Sequence, residues 1–152
     1  MQYIEAPNEV ETRAKKLFLA GAITGAPDWQ KIVISKIEDL DIAVYNPRRA
    51  NFPIDDPGAA LEQITWEHKY LNAADMISFW FCKETVAPIV LYECGTWTKT
   101  AKPIIIGMDP GYKRRQDVEI QTKLERPDVA IVYSLEDLVK GIYDIISQIL
   151  FI

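Results

Sequence analysis

Short apolar runs alternate with amphipathic stretches along the chain, which is the pattern of a parallel sheet covered by helices. The apolar runs predict five strands, at Leu17–Ala20, Ile42–Tyr45, Met76–Phe81, Pro103–Ile106 and Val129–Val132. Helical periodicity predicts helices between and after them, at Trp29–Leu40, Ala59–Ala73, Val86–Lys99, Asp117–Leu124 and Leu135–Leu150, with Asp28 and Ser134 as N-caps. We therefore expect one α/β domain over residues 1–152, with a doubly wound five-stranded parallel sheet of flavodoxin or Rossmann type and residues 1–15 as an N-terminal extension.

The loops that follow the strands are the first places to look for a binding site. In doubly wound sheets ligands bind beyond the carboxyl ends of the strands. That rule selects four loops, at Gly21–Pro27, Asn46–Asp56, Phe81–Ala87 and Met108–Asp117. The second of these belongs to a long stretch rich in Pro, Asp and Arg, and such loops in compact domains are usually functional or mobile.

Composition narrows the class of protein. Hydrophobic residues make up 49% and charged residues 26% of the chain, which is a globular balance. The net charge of −5 argues against a nucleic acid polymer as the main partner. No N-terminal signal pattern and no apolar run long enough for a membrane are present, so we expect a cytoplasmic protein. Cys82, Cys94 and the one histidine form no zinc-like pattern, and neither a metal nor an organic cofactor is expected.

Two glutamates lie in apolar company on their predicted helices. Glu93 shares a helix face with Ile89 and Trp97, and Glu67 repeats this pattern one helix earlier. If these neighbours face the core, the carboxylates point towards the sheet or a pocket, where an acid is costly unless it is paired or used. The alternative is a helix-edge glutamate bonded to a backbone amide or an arginine. Paired carboxylates suit glycosidic chemistry, in which one attacks the anomeric carbon while the other handles a proton.

Several short motifs occur in an order and spacing that resemble the nucleoside 2-deoxyribosyltransferase superfamily, in particular its short nucleoside 2-deoxyribosyltransferase-like branch. The resemblance spans roughly residues 16–150. Its motifs are LFLAGAITG (17–25), NPRR (46–49), WE (66–67), ADMISFWF (74–81), ETVAPIVLYECG (84–95) and YKRRQDVEIQT (112–122).

This resemblance implies a flavodoxin-like fold, homo-oligomers of two or more copies in which a neighbour completes each site, and roles for individual residues. Glu93 matches the nucleophile that attacks C1′ of a deoxyribonucleoside and forms a deoxyribosyl ester. Glu67 matches a family aspartate near the base and would handle its proton. The Ala20–Ile23 turn matches the pocket wall, where Gly21 lets the ligand approach the backbone, and Asp117 takes the place of an asparagine that reaches into a neighbouring subunit.

One family position is not matched. A second family aspartate, six residues before the nucleophile, falls on Ala87. Thr85 or Glu84 can stand in for it, or the chain is a plain hydrolase. The same gap leaves open a binding module that senses a nucleotide without turnover.

Other residues at the rim are weaker candidates. Arg48 and Arg49 follow the second strand, where guanidinium groups can hold a phosphate or simply pair with loop acids. Asn46 stands at the end of that strand, where a dinucleotide-binding protein carries an acid, so a nicotinamide dehydrogenase is disfavoured. Phe81, at the end of its strand, is the aromatic best placed to stack on a base, although strand aromatics are more often core.

These observations favour an N-deoxyribosyltransferase that takes a small nucleoside or nucleotide and a free base. Glu93 and Glu67 are the expected catalytic residues. The expected substrate-binding residues are Ala20, Gly21, Ile23, Asn46, Arg48, Phe81, Thr85 and Asp117. The alternatives are an N-glycosidase that hydrolyses nucleosides or nucleotides without transfer, and a non-catalytic nucleotide sensor.

Overall fold

The computed structural model of the protein describes residues 1–150, which form a six-stranded sheet and five helices. The strands are β1 (Gln2–Glu5), β2 (Lys15–Gly21), β3 (Ile42–Asn46), β4 (Met76–Phe81), β5 (Ile104–Met108) and β6 (Ile131–Val132). The helices are α1 (Trp29–Lys36), α2 (Ala59–Ala73), α3 (Pro88–Thr98), α4 (Arg115–Glu125) and α5 (Leu135–Leu150).

The prediction of five strands was wrong by one. Residues 2–5, assigned to an N-terminal extension, form β1, which pairs in parallel with β3 at the edge of the sheet. Within β1 only Ile4 is buried, because an edge strand is covered on fewer sides than a central one. A single buried residue in four leaves too little apolar pattern to predict a strand.

The observed boundaries of some elements also differ by a few residues from the predicted ones. Helix α1 ends at Lys36 rather than Leu40, and β6 is shortened to two residues. Both predicted N-caps are confirmed, since the backbone N–H of Lys31 donates to Asp28 (3.1 Å) and that of Asp137 donates to the Ser134 hydroxyl (3.0 Å). Within residues 1–150, no helix has the length and apolar character that crossing a membrane requires.

The strand order β1-β3-β2-β4-β5-β6 fixes where a ligand can bind. From β2 the chain moves outward to β3, then crosses back over β2 to β4 and continues in the opposite direction. The direction of winding therefore changes between β2 and β4, and such a switch point opens a crevice at the carboxyl ends of the strands. Because all the strand pairs are parallel, the turns after β2 and β4 meet at that crevice.

Helices cover both faces of the sheet, so its central strands are buried throughout. Helices α1 and α5 pack against each other on one face. Right-handed crossovers place α2 and α3 on the opposite face, above the crevice. Helix α2 is anchored there by an aromatic cluster in which Trp66 and Tyr70 pack against each other and against Tyr45, with Phe18 beside Trp66.

Candidate active site

A cavity of about 470 Å³ opens at the crevice between β2 and β4. Four parts of the chain build its walls: the end of β2 and the turn after it, the start of the loop after β3, one edge of α2, and the first turns of α3 with the loop before them. Its lining residues are Phe18, Ala20, Gly21, Ala22, Ile23, Thr24, Pro47, Ile64, Glu67, Thr85, Ala87, Pro88, Ile89, Val90 and Glu93.

Glu93 reaches the cavity from the second turn of α3. The buried stripe of this helix is Val90, Cys94 and Thr98, and Glu93 lies beside it at the cavity. The expectation of a core-facing stripe around Glu93 was therefore wrong in one respect, because Ile89 is 65% exposed at the cavity mouth. The carboxylate faces a cavity rather than the core.

Glu67 reaches the same cavity from α2, and a side chain that the sequence analysis missed holds it. The Gln63 amide donates to Oε1 of Glu67 (2.8 Å) and also to the Pro47 carbonyl (2.7 Å). Both contacts come from one nitrogen, so Gln63 ties the acid to the loop that follows β3. The i, i+4 spacing of Gln63 and Glu67 on a helix is the sequence signal that was available for this contact.

The two carboxyl groups are electrostatically unusual. Burial raises the pKa of Glu93 to about 8, and the nearby Glu67 carboxylate adds to the rise. Burial also raises the pKa of Glu67, whereas the hydrogen bond from Gln63 opposes that rise because it favours the ionised form. The two carboxyl groups thus differ in their hydrogen bonds. Glu67 accepts a hydrogen bond from Gln63, whereas among the described residues no side-chain hydrogen bond reaches Glu93. Two acids with different hydrogen-bonding environments are suited to divide proton handling and nucleophilic attack.

The turn after β2 is held by the indole of Trp29. Its N–H donates to the Ala22 carbonyl (3.2 Å), and its ring lies against Gly21. A Cβ at Gly21 would come within 2.4 Å of the ring and 2.7 Å of the Trp80 carbonyl. Glycine is therefore required here by the protein's own packing, in addition to any approach of a ligand.

Arg48 does not contribute a free cation to the cavity. Its guanidinium donates to the carbonyls of Pro27 (2.8 Å), Ile23 (3.1 Å) and Ala26 (2.8 Å), and to the side-chain oxygen of Gln30 (3.0 Å). These bonds fasten the turn after β2 to the start of the loop after β3. The geometry does not support the expectation that Arg48 binds substrate, because its donors are already engaged by the protein.

The entry to α3 is shaped by Ala87, which has a left-handed backbone conformation (φ 50°) at the N-cap. Its N–H donates to the Thr85 hydroxyl (3.3 Å), and Pro88 then begins the helix. A left-handed alanine is strained, and such strain concentrates at functional sites. Thr85, one of the two residues that can stand in for the unmatched family aspartate, lines the cavity.

Three other expected binding residues lie away from the cavity. Phe81 is fully buried and packs on Tyr112, so it cannot stack on a base in this structure. Asn46 is buried, with its amide donating to the Tyr3 hydroxyl and its oxygen accepting from the Arg48 backbone. Asp117 pairs with Arg114 (3.1 Å) at a separate groove between α3 and α4.

The structure thus brings six of the ten expected site residues to one cavity: Glu93, Glu67, Ala20, Gly21, Ile23 and Thr85. Among the described residues, no group of three or more His, Cys, Asp or Glu side chains is arranged to hold a metal ion. The ionisable side chains among the residues that line the cavity are Glu67 and Glu93.

Comparison with known proteins supports the superfamily that the sequence motifs resemble. The family model described as nucleoside 2-deoxyribosyltransferase like matches residues 14–112, which include both glutamates and every residue that lines the cavity. Comparison with curated protein sequences gave no match. A crystal structure of a conserved protein from Enterococcus faecalis V583 superposes with a TM-score of 0.66 at 18% identity, covering 86% of this chain and 98% of the other. At that identity the likeness concerns the fold.

Proposed function

The chain belongs to the nucleoside 2-deoxyribosyltransferase-like family, and we propose that it cleaves the N-glycosidic bond of 2′-deoxynucleosides and transfers the deoxyribosyl group to a second base. The observation that carries the proposal is the pair of carboxyl groups, Glu93 and Glu67, at one cavity on the switch point of the sheet. A site of about 470 Å³ is of the size that holds a small organic ligand.

The proposed reaction has two displacement steps at C1′. The Glu93 carboxylate attacks C1′ as the bond to the base breaks, the base leaves with the bonding electrons, and a deoxyribosyl ester forms. A second base then attacks C1′, the ester bond breaks, and the Glu93 carboxylate is regenerated. Glu67 exchanges the proton that a neutral departing base gains and an incoming base loses. Two inversions leave the configuration at C1′ unchanged.

A base-exchange assay tests this function. The protein is incubated with a 2′-deoxynucleoside and a different free base, and the products are separated by chromatography. We expect a new deoxynucleoside with the original configuration at C1′. Release of free deoxyribose without base exchange would show that the protein hydrolyses the bond and does not transfer the sugar. Binding without any base release, across a panel of purine and pyrimidine deoxynucleosides, would contradict the enzymatic function and favour a sensor.

We further propose that a second copy of the chain covers the mouth of the cavity. Ile64 on α2 (63% exposed) and Ile89 on α3 (65% exposed) line the cavity. About one helical turn from each, Leu61 (72%) and Tyr92 (77%) extend the exposed apolar surface. A cluster of large exposed apolar side chains around a binding site is typical of an interface. An oligomer of this kind is also what the family resemblance implies.

Charge introduced on this surface tests the proposal. Tyr92→Glu is expected to convert the oligomer to monomers, because it places a charge in an apolar contact, and sedimentation equilibrium measures the mass. Ile32→Glu is the matched control, since Ile32 is 44% exposed on α1, and it should leave the mass unchanged. A monomeric parent protein, or an unchanged mass of the Tyr92 variant, would contradict the proposed interface.

A further inference from the structure

The charge of the cavity carries information about its ligand. The two charged side chains among its lining residues, Glu67 and Glu93, are both acids. Within the described residues, neither forms a salt bridge with a basic side chain. Two acids that share a buried site without a cation favour a ligand that brings positive charge.

The guanidinium of Arg48, which contacts the turn that lines the cavity, already has all its bonding partners within the protein. The Arg48 guanidinium donates to the carbonyl of Ile23, a lining residue, but also to two further carbonyls and to Gln30. To neutralise an acid in the cavity, it would have to abandon those bonds and release the turn after β2. The residues that line the cavity therefore include no basic side chain, and Arg48 cannot serve as one without breaking its own contacts.

The hydrogen-bonding groups at the cavity also favour a positively charged ligand. Glu67 accepts a hydrogen bond from the Gln63 N–H, an arrangement that suits an ionised carboxylate, and Glu93 is assigned to nucleophilic attack. The other polar side chains that line the cavity are Thr24 and Thr85. Their hydroxyls can donate hydrogen bonds but are far too weakly acidic to protonate a departing base. Among the lining side chains, Glu67 is therefore the one that can exchange a proton with a departing base, and a base that leaves without gaining a proton does not depend on that exchange.

We infer that the preferred substrates are nucleosides whose base already carries a positive charge, such as an N-linked pyridinium or an N-alkylated purine. This inference rests on the proposed function. When such a base leaves with the bonding electrons it becomes neutral, so no proton is transferred to it. The Glu93 carboxylate forms the ester with C1′, and the ionised Glu67 stabilises the positive charge that passes from the base to the sugar.

A pair of non-cleavable ligands tests the inference directly. The probes are a C-linked 2′-deoxyribosyl pyridine and its N-methylpyridinium cation, which have nearly the same shape and differ by one positive charge. Calorimetry with the parent protein at about pH 8 should show at least about tenfold tighter binding of the cation. Glu67→Gln should remove most of that preference, while Glu38→Gln, which removes an exposed acid on the turn after α1, should retain it.

Equal binding of the two probes, or tighter binding of the neutral one, would overturn the inference. So would a preference for the cation that Glu67→Gln leaves intact. Base release from uncharged deoxynucleosides, measured with the same preparation, separates this result from a failure of the proposed function. Cleavage of uncharged substrates without any preference for the cation refutes the inference alone, whereas no cleavage of either an uncharged or a pyridinium deoxynucleoside refutes both.

Discussion

Glu93→Gln is expected to lower kcat/KM for base release by about 10³-fold or more, because an amide oxygen cannot replace a carboxylate as the nucleophile at C1′. The substitution keeps the size of the side chain and the apolar walls around it. Release of base from a 2′-deoxynucleoside, followed by chromatography under single-turnover conditions, measures the effect. Trapping the deoxyribosyl ester on the parent protein, with its absence from the variant, locates the bond.

Two variants show whether the loss belongs to this residue. Glu67→Gln should retain more activity than Glu93→Gln, because Glu67 does not form the bond to C1′. Glu38→Gln removes an exposed acid outside the cavity and should be fully active. A Glu93→Gln protein with activity within about threefold of the parent would contradict covalent catalysis by Glu93.

Much of the fold could be predicted because its signals are local. A central strand such as Met76–Phe81 is buried along its whole length, so its continuous apolar run is visible in the sequence. The edge strand β1 was missed because it has one buried residue, Ile4, and is recognised only through its pairing with β3. Pairing across some 40 residues of chain is tertiary information that no local pattern contains.

The site was predictable to the extent that strand order and helix periodicity determine it. The position of the cavity follows from the switch point, and both glutamates could be found as acids among apolar neighbours. Strand order and helix periodicity could not show that Arg48 and Phe81 do not line the cavity. Both lie at the ends of strands, and only the folded structure shows that one is bound by carbonyls and the other packs on an aromatic ring.

The unusual ionisation of Glu93 has a consequence for stability. A carboxyl group with a pKa of about 8 in the folded protein and near 4.5 in the unfolded chain binds a proton more tightly when folded. Over that interval the free energy of unfolding decreases as the pH rises, and above pH 8 the full penalty of the buried charge is present. Below about pH 4.5 the group is protonated in both states and contributes nothing.

Glu93→Gln should therefore be more stable than the parent at alkaline pH, although it is inactive. We expect a gain of roughly 2–3 kcal/mol in the free energy of unfolding at pH 9, or an increase in Tm of about 5–10 °C, which diminishes towards zero near pH 5. The range is below what the full pKa shift corresponds to, because the cavity is open and water screens part of the charge. Thermal unfolding followed by circular dichroism from pH 5 to pH 9 (about the range between the two pKa values) measures it.

The shape of this dependence, rather than its size, identifies the buried charge as its cause. Glu38→Gln should change Tm by nearly the same small amount at every pH, because its carboxyl group is exposed. Glu67→Gln should show a smaller gain than Glu93→Gln, since the hydrogen bond from Gln63 already favours the ionised form of Glu67 in the parent. A Glu93→Gln protein that is no more stable than the parent at pH 9 (about one unit above the raised pKa) would show that Glu93 is not a desolvated acid. The ionised form that attack at C1′ requires is thus the form that burial and the neighbouring Glu67 disfavour. A positively charged ligand would favour that form.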